Sequence, residues 1–248
     1  MRDETQAHYD RLAPEYDQNW TYSPEFLEWM TQCILGRLRL RSSDRVLDVG
    51  CGTGLYARHL VEHTEGVVCV DPSVRMLERI PDDPRLMAVQ SSAEDLASGR
   101  AVLPVDRFEA ILVKEAIHHV ADREAVISGL AKLLAPGGRL LVVMLPTRID
   151  YPLFPAAHDR FRELQPDPEV IAASMGDAGL EVSLSYDDFP LMFPTERYLA
   201  MVRSRYLSLL SLFDDEELAT GIEEIRRQHP GPKVAFRDRF AFVLGTVP

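Results

Sequence analysis

Val46-Leu47-Asp48-Val49-Gly50-Cys51-Gly52-Thr53-Gly54 reads as a short apolar strand running into a glycine-rich turn, with a helix opening near Leu55. Glycine at alternate positions lets the backbone turn sharply and lie against a ligand without Cβ clashes. The helix that follows presents unpaired N–H groups at its start. A strand, a glycine turn and a helix in that order form a unit that holds a nucleotide.

The neighbouring residues narrow the nucleotide. A phosphate loop would close on Gly-Lys-Ser/Thr, which is absent from this turn. The dinucleotide pattern G-x-G-x-x-G would place its third glycine at position 55, where the chain has Leu; the glycine falls at 54. Asp71 closes the next apolar run, Val67-Val68-Cys69-Val70, and a carboxylate there suits ribose hydroxyls. The turn is therefore suited to a ribose and poorly matched to a pyrophosphate.

VLDVGCGTG (46–54), followed by VDPSVRML (70–77), resembles the core of the class I methyltransferases, which bind S-adenosyl-L-methionine (SAM). The likeness continues through Ser92-Ala93-Glu94-Asp95-Leu96, the run Phe108 to Val113, and Leu134-Ala135-Pro136-Gly137-Gly138. It is close over residues 1–145 and holds in outline beyond. The resemblance implies an α/β fold: a Rossmann-like, seven-stranded, mostly parallel sheet with helices on both faces and a helical cap. On that plan residues 1–45 are an N-terminal helical lid, 46–189 the SAM-binding core, 190–232 a helical cap insertion and 233–248 the final core strand.

The same resemblance assigns cofactor contacts. Asp48 anchors the methionine end, and Gly50, Cys51, Gly52 and Gly54 allow close backbone approach. Asp71 takes the ribose hydroxyls, Pro72 or Met76 flanks the adenine, and Ala93 and Glu94, with Ser92 before them, match the motif that contacts its ring; the plain alternative for Asp48 and Asp71 is a helix cap or turn former. Tyr9-Asp10 and Tyr16-Asp17 look like the paired Tyr-Asp opening of many small-molecule methyltransferases, whose tyrosines border the pocket. Read by spacing alone, Tyr9, Leu12, Ala13 and Tyr16 are the packed stripe of an amphipathic helix, and the two readings are compatible. Lys114, leaving the fourth strand, either pairs with a carboxylate of cofactor or substrate, pairs with Glu115, or points to solvent.

Composition excludes several classes. The 248 residues are 46% hydrophobic and 27% charged, ordinary for a globular chain. The formal net charge of −12 and the lack of a basic run argue against a nucleic-acid partner. Met1-Arg2-Asp3-Glu4 carries no apolar signal region, and no run approaches the ~20 apolar residues of a membrane helix. Cys33, Cys51 and Cys69 are too widely spaced for a zinc knuckle and odd in number for disulfides. The expectation is a cytoplasmic protein with no membrane or metal partner, whose oligomeric state the sequence leaves open.

Strand and helix patterns alternate up to Pro146, as a parallel sheet with right-handed crossovers requires. Helices are expected over 24–39, 55–63, 73–80 and 123–134, with strands at 67–70, 86–90, 108–113 and 139–145. Beyond, the spacing predicts a helix over 167–178, a strand over 181–189, a long helix over 195–213, a helix over 214–228 and a strand over 239–244.

Methyl transfer from SAM needs alignment and desolvation, and a base only where the nucleophile carries a proton. His118 and His119, shortly after the fourth strand, are the candidate base, since an imidazole titrates near ~6.5. Adjacent residues on a regular element point apart, so one of the two is expected to be structural. The plain alternative is that both only pack or bond the backbone. In the cap, Arg197, Tyr198 and Arg205 are candidate substrate contacts, an arginine being suited to a carboxylate. The plain alternative is a solvated helix face over an apolar underside. Positions 114–117 read Lys-Glu-Ala-Ile rather than Asn/Asp-Pro-Pro-aromatic, which disfavours amide or base methylation of macromolecules. The expected activity is therefore methyl transfer to a small molecule, at oxygen first. A SAM-binding regulatory or scaffold protein and an enzyme that cyclises or hydrolyses SAM are the alternatives.

Overall fold

The computed structural model describes residues 23–248. Ser23 caps the first helix, α1 (Pro24–Leu38), by accepting the N–H of Phe26, and Pro24 occupies its first turn, where no N–H partner is needed. There follow β1 (Arg45–Val49), α2 (Ala57–Leu60), β2 (Gly66–Asp71), α3 (Val74–Leu77), β3 (Leu86–Gln90), α4 (Ala93–Ala97), β4 (Phe108–Lys114), α5 (Arg123–Lys132) and β5 (Leu134–Met144). The remainder carries α6 (Pro155–Leu164), α7 (Pro168–Asp177), β6 (Glu181–Pro194), α8 (Thr195–Arg203), α9 (Asp215–Gln228) and β7 (Lys233–Thr246).

The seven strands form one sheet in the order β3-β2-β1-β4-β5-β7-β6. β1 to β5 pair in parallel, and β7 runs antiparallel to both β5 and β6. The chain leaves β1 toward β3, then returns to β4 on β1's other side, so a crevice opens at the carboxyl ends of β1 and β4. Alternate strand residues feed two cores. Val46, Val67, Cys69, Ala110, Leu112, Leu141 and Val143 pack with α1 and the cap. Leu47, Val49, Val68, Ile111, Val113, Leu140 and Val142 pack with α4, α5 and α7. Helices thus cover both faces, as a two-residue strand period buried on either side demands.

Several elements depart from expectation. The helix expected over 55–63 is α2 followed by a 3₁₀ turn, Val61–His63, and that over 73–80 shortens to α3. Phe108 pairs with Leu134 and Ala110 with Arg139, so β5 starts earlier than its apolar run and Pro136-Gly137-Gly138 bulges within it. Helix α6 lies where no element was expected. The helix expected over 195–213 stops at Arg203, and a 3₁₀ turn covers Ser208–Leu212. Arg205, at φ +57°, turns the chain back so that the hydroxyls of Tyr198 and Tyr206 lie 3.3 Å apart. An unbroken helix would separate those residues by ~12 Å.

β6 and β7 outrun their expected bounds, pairing from Glu181↔Thr246 to Pro194↔Lys233. β6 continues through Pro190 to Pro194 because it is the sheet's edge, where a missing N–H breaks no ladder bond. β5 pairs with β7 only as far as Met144↔Ala241. The rest of the β6–β7 ribbon stands beyond the carboxyl end of β5 and walls one side of the crevice.

Candidate active site

The glycine turn is clamped from two sides. Gly50 and Cys51 both donate their N–H to Val70 O, at 2.8 and 3.1 Å. Gly50 has φ +72°, and a Cβ there would lie 2.4 Å from the Cβ of Ala116. Asp71, ending β2, accepts the N–H of Gly52 on one oxygen (3.0 Å) and that of Ser73 on the other (2.9 Å). Its carboxyl therefore joins the glycine turn to the start of α3, where Ser73 accepts the N–H of Met76. Met76 is buried and Pro72 exposed. Ser92 caps α4 by accepting the N–H of Asp95, which sets Ala93 and Glu94 in that helix's first turn. Asp71, Ser73 and Ser92 thus all gather at the carboxyl ends of β2 and β3. Tyr9 and Tyr16 lie outside the described residues.

Next to the turn sits a buried group of charges. Asp48, 3% exposed, has its carboxyl pushed up to about 7 by burial and then by the charge of Asp71. Lys114 ends β4 with its Nζ 4.9 Å from the Tyr56 ring centre and 5.4 Å from that of Phe240. Burial lowers its pKa, against the pull of Glu115, Asp238 and Asp48. Glu115 has φ +51°, and its carboxylate accepts the N–H of Leu145 at 2.9 Å. Burial raises the Glu115 pKa, against Lys114.

The sequence reading missed the fourth carboxyl group. Asp238, 0% exposed, accepts the phenol O–H of Tyr151 at 2.6 Å on Oδ1. Its Oδ2 is buried and has no hydrogen-bond partner among the described residues. Burial pushes its pKa up to about 7, despite the opposing effect of the Tyr151 hydrogen bond. A signal existed: Val234, Phe236, Phe240 and Phe242 alternate along β7 as an inward row, and position 238 puts an acid where that row asks for an apolar side chain. Tyr151 follows β5 in a segment without regular structure, where no periodicity singles it out.

His118 and His119 belong to a 3₁₀ turn, Ile117–His119, held by the Arg123 guanidinium donating to the carbonyls of Ile117 and His118. Contrary to expectation the rings do not diverge; their centroids are 3.9 Å apart, because a single tight turn lacks the angular spacing of a regular element. His118 Nδ1 is buried with no hydrogen-bond partner among the described residues. Burial, then the charges of His119 and Arg123, hold the His118 pKa well below the usual imidazole range. His119 is exposed.

The cap residues serve the cap's own frame. Arg197 is exposed, its guanidinium 5.6 Å from the Phe193 ring. Tyr198 is fully buried, its hydroxyl against Tyr206. Arg205 donates to Phe213 O at 2.8 Å and pairs with Asp215 at 3.0 Å. These contacts tie Arg205 to the start of α9 rather than to the crevice.

Known proteins share the sequence pattern of the glycine turn and the fold. The sequence pattern of the methyltransferase domain family matches residues 47–140, a span running from β1 into β5 and including the glycine turn, Asp71, Lys114 and the histidine pair. Residues 47–140 thus carry a methyltransferase domain of the class I SAM-dependent type. The methyltransferase is 28% identical over 211 residues to the 27-O-demethylrifamycin SV methyltransferase of Amycolatopsis mediterranei, covering 72% of this chain and 74% of that one. It is 35% identical over 136 residues to an uncharacterized methyltransferase of Mycobacterium tuberculosis, covering 54% of this chain and 48% of the relative, about half its length. The crystal structure of the YcgJ protein from Bacillus subtilis has the same fold, with a TM-score of 0.63 at 18% identity over 87% of this chain and 97% of that one.

SAM, the methyl donor of this family, supplies a sulfonium-activated methyl group. The residues present fit such a ligand. Asp48, Glu115 and Asp238 act on the ammonium of Lys114, with Asp71 acting on Asp48, and a positively charged ligand would favour the ionised form of carboxyls whose pKa burial has raised. Among the described residues no group of three His, Cys, Asp or Glu side chains is placed to hold a metal, and no helix is long and apolar enough to cross a membrane.

Proposed function

We propose that this methyltransferase passes the methyl group of SAM to an oxygen of a small metabolite. The observation that carries the reading is the relative that is 28% identical across 72% of this chain and whose name gives an O-demethyl acceptor. The acidic, aromatic-walled crevice supports it, because a desolvated site raises the reactivity of a hydroxyl nucleophile and excludes water as a competing acceptor.

In this reading the backbone of Gly50 to Gly54 receives the methionine end of the cofactor, with Asp48 and Lys114 beside it. Asp71 releases one of its backbone partners and accepts the ribose hydroxyls. Met76 and Pro72 border one face of the adenine, and Ser92, Ala93 and Glu94 its edge. Arg197 stands at the outer rim of the cap. The histidine pair follows Ala116, which closes on Gly50, but a His118 held well below its usual pKa is a weaker base than its sequence position suggested.

Asp71→Ala should lose SAM binding by at least about tenfold, the size of a lost hydrogen bond to a charged group, when titrated in a calorimeter. Unchanged affinity sinks the assigned pocket. Incubation of the wild-type protein with SAM and hydroxylated small molecules should yield S-adenosylhomocysteine (SAH) by mass. Accumulation of methylthioadenosine would overturn the reading in favour of cyclisation.

A further inference from the structure

We propose that Asp238, oriented by Tyr151, is a catalytic carboxylate on the acceptor side of the crevice, facing the sulfonium and taking the proton of the attacking hydroxyl. The inference rests on the proposed function, whose cofactor pocket it extends across the crevice to β7.

Three observations carry it. Asp238 lies on the part of β7 beyond Ala241, the last residue paired with β5, where it is fully buried in the same inward row as Phe236 and Phe240. Lys114, at the end of β4, holds its Nζ between the ring of Tyr56, beside the glycine turn, and that of Phe240, which shares the inward row of β7 with Asp238, and the charges of Asp48 and Asp238 both act on it. The row Asp48, Lys114, Asp238 therefore crosses the crevice from the glycine turn to the ribbon. Finally, Tyr151 holds Oδ1 at 2.6 Å, while Oδ2 is buried without a partner among the described residues. A buried carboxylate oxygen without a partner is costly, and such exceptions to full hydrogen bonding are where function is found.

The chemistry balances. An acceptor oxygen lone pair forms the bond to the methyl carbon, and the C–S bond breaks with its electron pair left on sulfur as a neutral thioether. The hydroxyl proton passes to Asp238 Oδ2. Burial raises Asp238 to about 7, which makes it a stronger base than an exposed carboxylate and one ionised at neutral pH to a useful extent. Tyr151 is the positioning residue.

The test is binding, so it needs no acceptor. SAM carries the sulfonium and SAH does not, so the ratio of their affinities reads the field at the sulfur. In the wild-type protein that ratio should rise with pH through about 7 as Asp238 ionises. The groups facing Asp238 are Lys114 and Glu115 on β4, Tyr151 after β5, Tyr56 beside the glycine turn and Tyr198 on α8. Asp48 also titrates near 7, and Tyr151→Phe separates the two. Loss of the phenol hydrogen bond raises the Asp238 pKa, so the midpoint should move to higher pH, whereas an Asp48 titration would stay in place. Asp238→Asn should lower the SAM-to-SAH ratio at pH 8 about tenfold, a modest value for one charge lost near a cation at an effective dielectric of ~20. SAH affinity should change little.

A midpoint unmoved in Tyr151→Phe, or a wild-type ratio in Asp238→Asn, overturns the proposal. Should Asp238→Asn fail to fold, the wild-type and Tyr151→Phe profiles decide alone. Failure of SAH to bind at all sinks the cofactor pocket itself, an outcome distinct from a flat ratio.

Discussion

Gly50 is the position where one missing side chain matters most. Its φ of +72° is strained for any other residue, and the Cβ of an alanine would meet Ala116 Cβ at 2.4 Å. Gly50→Ala should cost roughly 2–4 kcal/mol in urea unfolding, summing left-handed strain and overlap; a change below about 0.5 kcal/mol would show that the two segments yield freely. His118 gives a prediction of opposite character. Its folded pKa is depressed, so the unfolded chain binds the proton more readily than the folded one. The stability tied to this is complete above the ordinary imidazole value of ~6.5 and is lost as pH falls toward the lower folded pKa. His118→Gln should therefore show a shallower loss of unfolding free energy between pH 7 and pH 5 than the wild type, by denaturant titration at each pH. At this scale the sequence made Asp71 and the glycines legible, because a motif of local backbone geometry is written in consecutive residues. It did not single out Asp238 or Tyr151, which meet across 87 positions of chain.

Elements are fixed partly by their own residues and partly by what borders them. The strand runs at 67–70 and 108–113 announce themselves by apolar content, since each is covered on both faces or nearly so, and the edge strand at 86–90 is apolar though only half-buried. The end of β6 did not announce itself, because whether a proline is tolerated depends on edge position, which no local pattern carries. At the amino ends of β1, β4 and β5 a single tie matters. Arg139 of β5 bonds Asp44 at 2.7 Å just before β1, and also donates to the carbonyl of Glu109. Both side chains are largely buried, so removing one leaves the other's charge uncompensated. Asp44→Ala should destabilise by about 2–3 kcal/mol in urea. Adding Arg139→Met should recover part of that loss, since an apolar pair leaves no unmet charge. No recovery in the double variant would show that the tie works through Asp44's contact with the Arg41 N–H instead.

For the whole molecule, the cap is held to the sheet's first core by close helix contact. Gly221 of α9 meets Phe154 so closely that a Cβ would lie 2.3 Å from the ring. Gly221→Ala should destabilise by about 1–3 kcal/mol and speed amide exchange over 195–228, with the exchange of β1 and β4 unchanged. Equal acceleration everywhere would mean that cap and sheet open as one unit. The chain by itself determined the glycine turn, the acid that braces it and the parallel half of the sheet. Those features rest on short-range codes: glycine spacing, an acid after a strand, and alternation of strand and helix. Only the tertiary structure decided how the cap folds back at Arg205, how far the β6–β7 ribbon reaches, and which carboxylate is buried against Tyr151. Each of these depends on groups remote in sequence brought together by burial, and burial acts on whatever side chains the packed chain happens to place side by side.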